Sequence, residues 1–492
     1  MKKYHIFTYI AISSLILLSG CEKFLEHQPD DRTELNSSVK VAELLANAYP
    51  HGNYIAFAEA MSDNAGDKGG TSRLLPNSSP YNYIDQIDAT VEDTPPFYWN
   101  ACYKAIAAAN YALEAIDKAG NTAEYSASRG EALVARAYAH FMLVTFFAKA
   151  YDPATADTDP GIPYVTLPQK VVEGNYTRGT VASVYQNIDN DLKAGIPLIN
   201  DAYRVPKYHF TKAAANAFAT RFYLFKRDYA KVVEHANAVF PGTTIVDNLR
   251  QWNTTYTSLG YYELQALYTN STEPANLLLQ EAQSYWGDNY ASYNYGLSSA
   301  VRAAVFNAAN NPAGKSLAMT TKVFGGNETV YNIPKFRLHF VKETISANFG
   351  DGYNMVPLFT AEEVLFNRAE ANAMIGTVAS NALAIADIDA YLSKRIVNYS
   401  VTADKFTETK ATNFYKAPLT LKDALVNTVL NFKRQEYMHE GLRWLDLMRL
   451  KIPVIHLSAG GQVTSTLAAN DPRRVIQIPQ EAIAAGLAPN PR

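Results

Sequence analysis

Four stretches of this 492-residue chain imitate catalytic motifs, and each lacks a residue its chemistry needs. His439 and Glu440 open a zinc-protease pattern, in which two histidines one helical turn apart hold the metal and the glutamate activates water. The second histidine position is Arg443, a cation that would repel the ion. Gly314-Lys315-Ser316 matches the end of a phosphate-cradling loop, but the loop's first glycine falls at Ala309. Gly296-Leu297-Ser298-Ser299-Ala300 lacks the closing glycine of a nucleophile elbow. Asp63, Asn64 and Asp67 suggest a calcium loop, yet Lys68 replaces its required glycine and Leu74 its final glutamate. No Cys/His group has metal spacing. Carboxylates are plentiful, but no glycosidase-like pair stands out. The expectation is a protein without catalytic residues, metal or cofactor.

Binding chemistry is better represented. A sugar ring offers a C–H face to a flat aromatic and hydroxyls to short polar side chains. Tyr285-Trp286-Gly287-Asp288-Asn289-Tyr290-Ala291-Ser292-Tyr293 supplies both within nine residues. Tyr285, Trp286, Tyr290 and Tyr293 are therefore candidate ligand contacts, with Trp252 next. Asp63 and Asp67 follow on loop position alone. Each aromatic by itself is better explained by burial, since Trp is highly buried on average; the cluster carries the expectation. Tyrosines (33) outnumber phenylalanines (22), and a ring with a polar tip suits wet surfaces as well as cores. Net charge is −3, from 44 basic and 47 acidic side chains, which gives no reason to expect nucleic acid as a partner.

The chain opens as an export signal. Lys2 and Lys3 precede an apolar run over 6–18 that is too short to span a bilayer. Leu18-Ser19-Gly20-Cys21 then has the form of a bacterial lipobox. Cleavage before Cys21 and acylation of its sulfur would leave three acyl chains. At ~0.8 kcal/mol per buried CH₂ these anchor the protein far more firmly than a single chain does. Cys102, on the apolar stripe of a helix, reads as a core residue.

The elements that must position any site are helical. Ala214, Phe218, Phe222 and Phe225 form one stripe, and Tyr229, Val232, Val233, Ala236, Val239 and Phe240 a second, with Asp228 as the N-cap between them. This hairpin over 211–240 is close to the ~34 residues of a tetratricopeptide repeat. Its apolar face needs neighbours. Matching stripes lie over 97–119 with 131–150, over 181–198, and over 361–375 with 382–396. A last long helical region is expected over 421–450. Between 242 and 354 the helical period disappears into Asn, Gly, Ser and Tyr, which predicts long loops with short strands. The domain reading is a signal over 1–20, a helical part over 21–240 and a second part over 241–492 that includes this aromatic region.

The run from Lys433 to Arg449 then ties these pieces together. Arg434, Glu436, Glu440, Gly441, Arg443, Trp444, Asp446, Leu447 and Arg449 resemble the C-terminal signature of the SusD/RagB family of outer-membrane nutrient-binding lipoproteins. Lys433 departs from it, standing where glutamate is usual. Phe24-Leu25-Glu26 with Pro29, the 136–141 and 366–371 helices, Ile478-Pro479 and Asn490-Pro491 resemble other parts of that family in the right order. The signature itself reads as structure: its acids and bases pair along a helix and Trp444 packs. The resemblance implies a mainly α fold, a SusD-like frame of tetratricopeptide-like hairpins with an irregular loop-rich part. It also implies a surface-exposed outer-membrane lipoprotein that is not an enzyme and uses no cofactor. Such a protein binds an oligomeric nutrient, a glycan, and delivers it to a TonB-dependent barrel transporter. The alternatives are a peptide-binding member of the same scaffold and, further off, a surface hydrolase.

Overall fold

The computed structural model describes residues 35–169, 176–326 and 328–492; the expected lipidation site, Cys21, lies outside them. The order begins α1 (Ser38–Leu45), α2 (Ile55–Met61), β1 (Gly66–Asp67), α3 (Leu75–Tyr81), α4 (Pro95–Lys118), α5 (Ser126–Phe147), α6 (Val181–Gly195), α7 (Lys212–Lys226) and α8 (Tyr229–Ala238). It continues with α9 (Tyr261–Tyr268), β2 (Asn276–Gln283), α10 (Trp286–Asn289), β3 (Tyr295–Gly296), α11 (Ser299–Phe306), β4 (His339–Lys342) and β5 (Gly350–Thr360). The rest is α12 (Ala361–Ile375), α13 (Val378–Ser393), α14 (Glu408–Tyr415), α15 (Leu421–Glu436), α16 (Leu442–Arg449), β6 (Val454–Leu457), β7 (Val463–Leu467) and α17 (Gln480–Ala484). The mainly α expectation holds.

The hairpins are α4/α5, α7/α8 and α12/α13, with α6 packed on α5, and α12 on both α8 and α15. Helix α5 is buried on every side from Gly130 to Phe147, which is why its stripe reads broadly apolar in sequence. It meets α6 backbone to backbone: a Cβ on Gly130 would lie 2.9 Å from the Gly195 carbonyl oxygen. The Asp228 cap forms, accepting from the Lys231 amide. Cys102 is fully buried, and burial pushes its thiol well above its usual range, so it is inert. The expected 421–450 helix is two helices. His439 and Gly441 adopt left-handed backbone at φ 74° and 71° and turn the chain between α15 and α16.

That turn clamps the irregular region to the frame. Glu436 accepts from Arg395 at 2.7 and 2.9 Å and from the Trp252 indole at 3.3 Å. Arg395 also bonds Glu362, which holds Arg250. Glu440 binds Lys335 and the Tyr268 hydroxyl, both at 2.6 Å. Glu59 accepts from the His439 and Gly441 amides. Lys433 pairs with Asp446 at 3.0 Å, so the residue that departs from the family pattern makes an ion pair of its own. Trp444 is fully buried.

The region without helical period contains a sheet in the order β2-β5-β4, antiparallel throughout. Gln283, Tyr353 and His339 lie opposite one another across it. Directly paired residues share a face and alternate residues reverse it. Glu281, Gln283, Asp351, Tyr353, Met355, His339 and Val341 therefore line one side.

Candidate functional site

The predicted aromatics mostly turn inward. Trp252 is fully buried against Glu436. Trp286 is 3% exposed and its indole donates to the His439 carbonyl at 3.2 Å. Tyr290 is buried with its hydroxyl on Ile333 and Asn332, and Tyr293 is buried beside Trp286. These four close the core where the irregular region meets the α15–α16 turn and offer no open face to a ring. Asp63 is held by Arg443 at 2.8 and 2.9 Å, with Arg434 3.5 Å away. Although burial opposes it, the two guanidiniums hold its carboxyl far below the usual range. Asp67 accepts from the Gly69 amide and the Asn294 side chain, shaping its own turn. Of the cluster's four aromatics Tyr285 alone stays half-buried at the surface, its hydroxyl toward the Gly350 carbonyl.

A partly exposed aromatic stands on the sheet. Tyr353 is partly exposed between Gln283 and His339, with Glu281 and Asp351 on the same face. Burial, then Asp351, Glu281 and Glu92, raise its pKa, so its hydroxyl stays protonated and can donate. Glu92 accepts from the Gln283 amide at 3.0 Å. The Gln283 backbone in turn donates to the His51 carbonyl at 2.7 Å.

Gln283 also lines a cleft of about 240 Å³ shared with Asn47, His51, Phe97, Asn100 and Lys104. The start of α4 sets this wall. Thr94 caps the helix by accepting from the Phe97 amide, and Pro95 and Pro96 occupy its first positions, where a missing N–H is harmless. Phe97, Asn100 and Lys104 then project along one side at helical spacing. The turn before it is pinned from beneath. Asp93, in left-handed backbone at φ 63°, accepts from the Ser284 hydroxyl at 2.6 Å and the Tyr285 amide at 2.9 Å. The result is a partly exposed ring bordered by carboxylates, an amide and an imidazole, running into a mixed cleft whose walls include Phe97, Tyr49, Asn100 and Lys104. Such an arrangement has the chemistry to stack on and hydrogen-bond a polyhydroxylated molecule. Among the described residues no group of His, Cys, Asp and Glu could hold a metal.

Residues 23–224 match the family model of SusD-like proteins described as starch-binding and associating with the outer membrane. The fold is shared with solved structures over nearly the whole length. A putative sugar binding protein from Bacteroides vulgatus superposes with TM-score 0.68 at 18% identity, covering 94% of this chain and 99% of that one. The family match thus covers residues 23–224, and the likeness to solved structures extends the shared fold over nearly the whole chain. A SusD superfamily protein from Bacteroides thetaiotaomicron gives 0.64 at 19% identity, covering 94% and 100%. A laminarin binding SusD-like protein gives 0.58 at 16%, covering 94% and 99%. No curated protein sequence matches the chain.

The sequence reading did not single out Tyr353, Gln283 or the α4 wall as candidates. The alternation of Asp351, Tyr353 and Met355 with Gly352, Asn354 and Val356 is the one local signal that a two-sided strand lay there.

Proposed function

We propose that this chain is a SusD-like, lipid-anchored, surface-exposed outer-membrane protein that binds an oligosaccharide and passes it to a TonB-dependent barrel. The observation that carries the ligand class is Tyr353, a partly exposed ring set among Gln283, His339, Glu281 and Asp351 beside a cleft of mixed lining. The family description as starch-binding supports it, as does the laminarin binding of one structural neighbour. A binder without catalytic residues needs a second protein to move its ligand. Acylation at Cys21 would confine both to one membrane and raise their effective concentration. The test is calorimetric titration with a panel of soluble oligosaccharides, together with mild-detergent purification of the tagged native protein. Binding of a glucan or other glycan that Tyr353→Ala removes, and a co-purifying barrel, are the expected results. Failure of every glycan to bind removes the ligand class; absence of a barrel after cross-linking removes the delivery step.

A second reading has one observation behind it. An apolar cleft of about 270 Å³, lined by Trp99, Tyr103, Ile106, Val165, Leu167 and Tyr176, suits a peptide's side chains better than a sugar's hydroxyls. Peptides that bind where glycans do not would favour it.

A further inference from the structure

The sheet face that carries Tyr353 continues beyond it. Pairing of β4 with β5 runs one step past the strand ends, where the Glu343 amide donates to the Phe349 carbonyl at 3.3 Å. Glu343 thus stands opposite Phe349, as Val341 stands opposite Asp351 and His339 opposite Tyr353. Residues two apart on a strand share a face, so Phe349, Asp351 and Tyr353 project to the same side. At ~3.4 Å per residue the two aromatic positions lie about 14 Å apart. Phe349 is 64% exposed, and its diagonal neighbour Val341 is exposed as well.

The strand between the two rings is braced from behind. Tyr285 lies under it with its hydroxyl toward the Gly350 carbonyl at 3.4 Å, and a Cβ on Gly352 would fall 2.9 Å from the Tyr285 ring. Gly350 lets the two backbones close, because a Cβ there would strike the Val341 carbonyl oxygen. The spacing of the rings is therefore set by the sheet. What lies between them bears on what covers them. The core of a protein interface is depleted in Asp and Glu, yet here Glu343 faces Phe349, and Asp351 separates Phe349 from Tyr353. Apolar groups held apart by carboxylates suit a chain of pyranoses, which offers C–H faces to the rings and hydroxyls to the acids. With Glu281, Glu343 and Asp351 on one side of the sheet, an anionic chain would be repelled.

We propose that Phe349 is a second stacking station for the glycan held at Tyr353, and that this face binds a neutral linear oligosaccharide long enough to reach both rings. This rests on the Tyr353 reading and adds to it the length and charge of the ligand. A chain held at one ring meets the other at high effective concentration, so length itself raises affinity.

The test is isothermal titration with maltoheptaose and laminariheptaose, each against its own disaccharide. At least one heptasaccharide should bind about tenfold or more tighter than its disaccharide, the scale of one aromatic anchor. Phe349→Ala should erase that preference and leave the disaccharide, held at Tyr353 alone, unchanged. Phe349→Trp should keep it, and Tyr353→Ala should weaken both lengths. The Phe349 side chain is mostly in solvent, so these variants fold. Heptasaccharide binding that survives Phe349→Ala overturns the second station and spares the Tyr353 reading. So does an equal loss at both lengths. A Phe349→Ala variant that keeps its glycan but loses a co-purifying barrel makes the hairpin a protein contact instead. If neither heptasaccharide binds the wild type, the second station is withdrawn; the Tyr353 reading falls only if the rest of the glycan panel fails as well.

Discussion

Strand β5 carries aromatic groups on both of its sides, and the two sides have opposite fates. On the inner side the Asn354 amide donates to the Ser284 carbonyl at 2.5 Å, and the Ser284 amide donates to the Gly352 carbonyl at 2.8 Å. That fixes the turn into α10 and drives Trp286 under the sheet against the His439 carbonyl. Gly287 is needed there, because a Cβ would fall 2.6 Å from the Leu338 amide nitrogen. One residue along, on the outer side, Tyr353 stands between Gln283 and His339 with its ring partly in solvent. Trp286 is turned inward by the short helix that follows β2. Tyr353 faces outward by strand register, where one step from Asn354 moves a side chain from core to water.

The strongest way to break this contrast is to remove the inner ring. Trp286→Ala should lower unfolding free energy by about 3–5 kcal/mol, the range for deleting a buried Trp or Phe, with any ligand lost only because the protein unfolds. Urea unfolding followed by circular dichroism checks it. A variant of wild-type stability that loses binding would make Trp286 a ligand contact after all.

The latch between the sides answers to pH. Burial pushes the Asp93 carboxyl up to about 7, against the downward pull of the Ser284 hydroxyl and the Tyr285 amide. Burial also carries Glu59 up to about 7. The folded protein therefore keeps protons that the unfolded chain has released above pH ~4, near the ordinary carboxylate range. The share of stability from these two carboxyls falls as pH rises from there through 7, while buried His140, His439 and His456, held neutral in the fold, contribute the opposite trend. At about 1.4 kcal/mol per unit the Asp93 share is at most ~4 kcal/mol. Asp93→Asn should make the slope of stability against pH more positive than in the wild type between pH 5 and 8, with the Glu59 share unchanged. Thermal unfolding across that range measures the slope; an unchanged slope would show Asp93 ionised throughout.

The frame was legible because helices write their neighbours into a short period. The Phe218–Phe222–Phe225 stripe, the Asp228 cap and the buried Trp444 each depend on residues within a few positions, and each was expected. The α15–α16 break was harder, since His439 is an unusual residue for left-handed backbone. The site was hidden for a different reason. Tyr353 is brought beside Gln283 by a pairing across 70 residues, and Gln283 meets Phe97 and His51 only through the tertiary fold. Nothing local marks those distances. The 285–293 cluster was conspicuous because aromatic density is local, and density alone cannot tell a platform from a plug.

On the outer face the effects should be smaller and confined to binding. Tyr353→Ala should weaken the bound oligosaccharide by ~1–3 kcal/mol, as for a central aromatic anchor. Stability should change little, because a half-exposed strand residue leaves no cavity. Comparing it with Trp286→Ala in the same two assays sharpens the contrast: one variant moves only the unfolding curve, the other only the titration.

The smallest effect belongs to Gln283, and it tests whether sheet face and cleft act as one site. Its amide nitrogen holds Glu92 at 3.0 Å, its backbone holds His51, and it faces both Tyr353 and the Phe97 wall. Gln283→Ala removes one part-buried hydrogen bond, worth roughly 0.5–1.5 kcal/mol, and frees Glu92 to turn to water. If a ligand spans both surfaces, this loss should fall on long oligosaccharides and spare short ones that sit on Tyr353 alone. Titration with a length series of one glycan reads this directly. Equal losses at every length would confine the ligand to the sheet face, and no loss at any length would take the cleft out of the site.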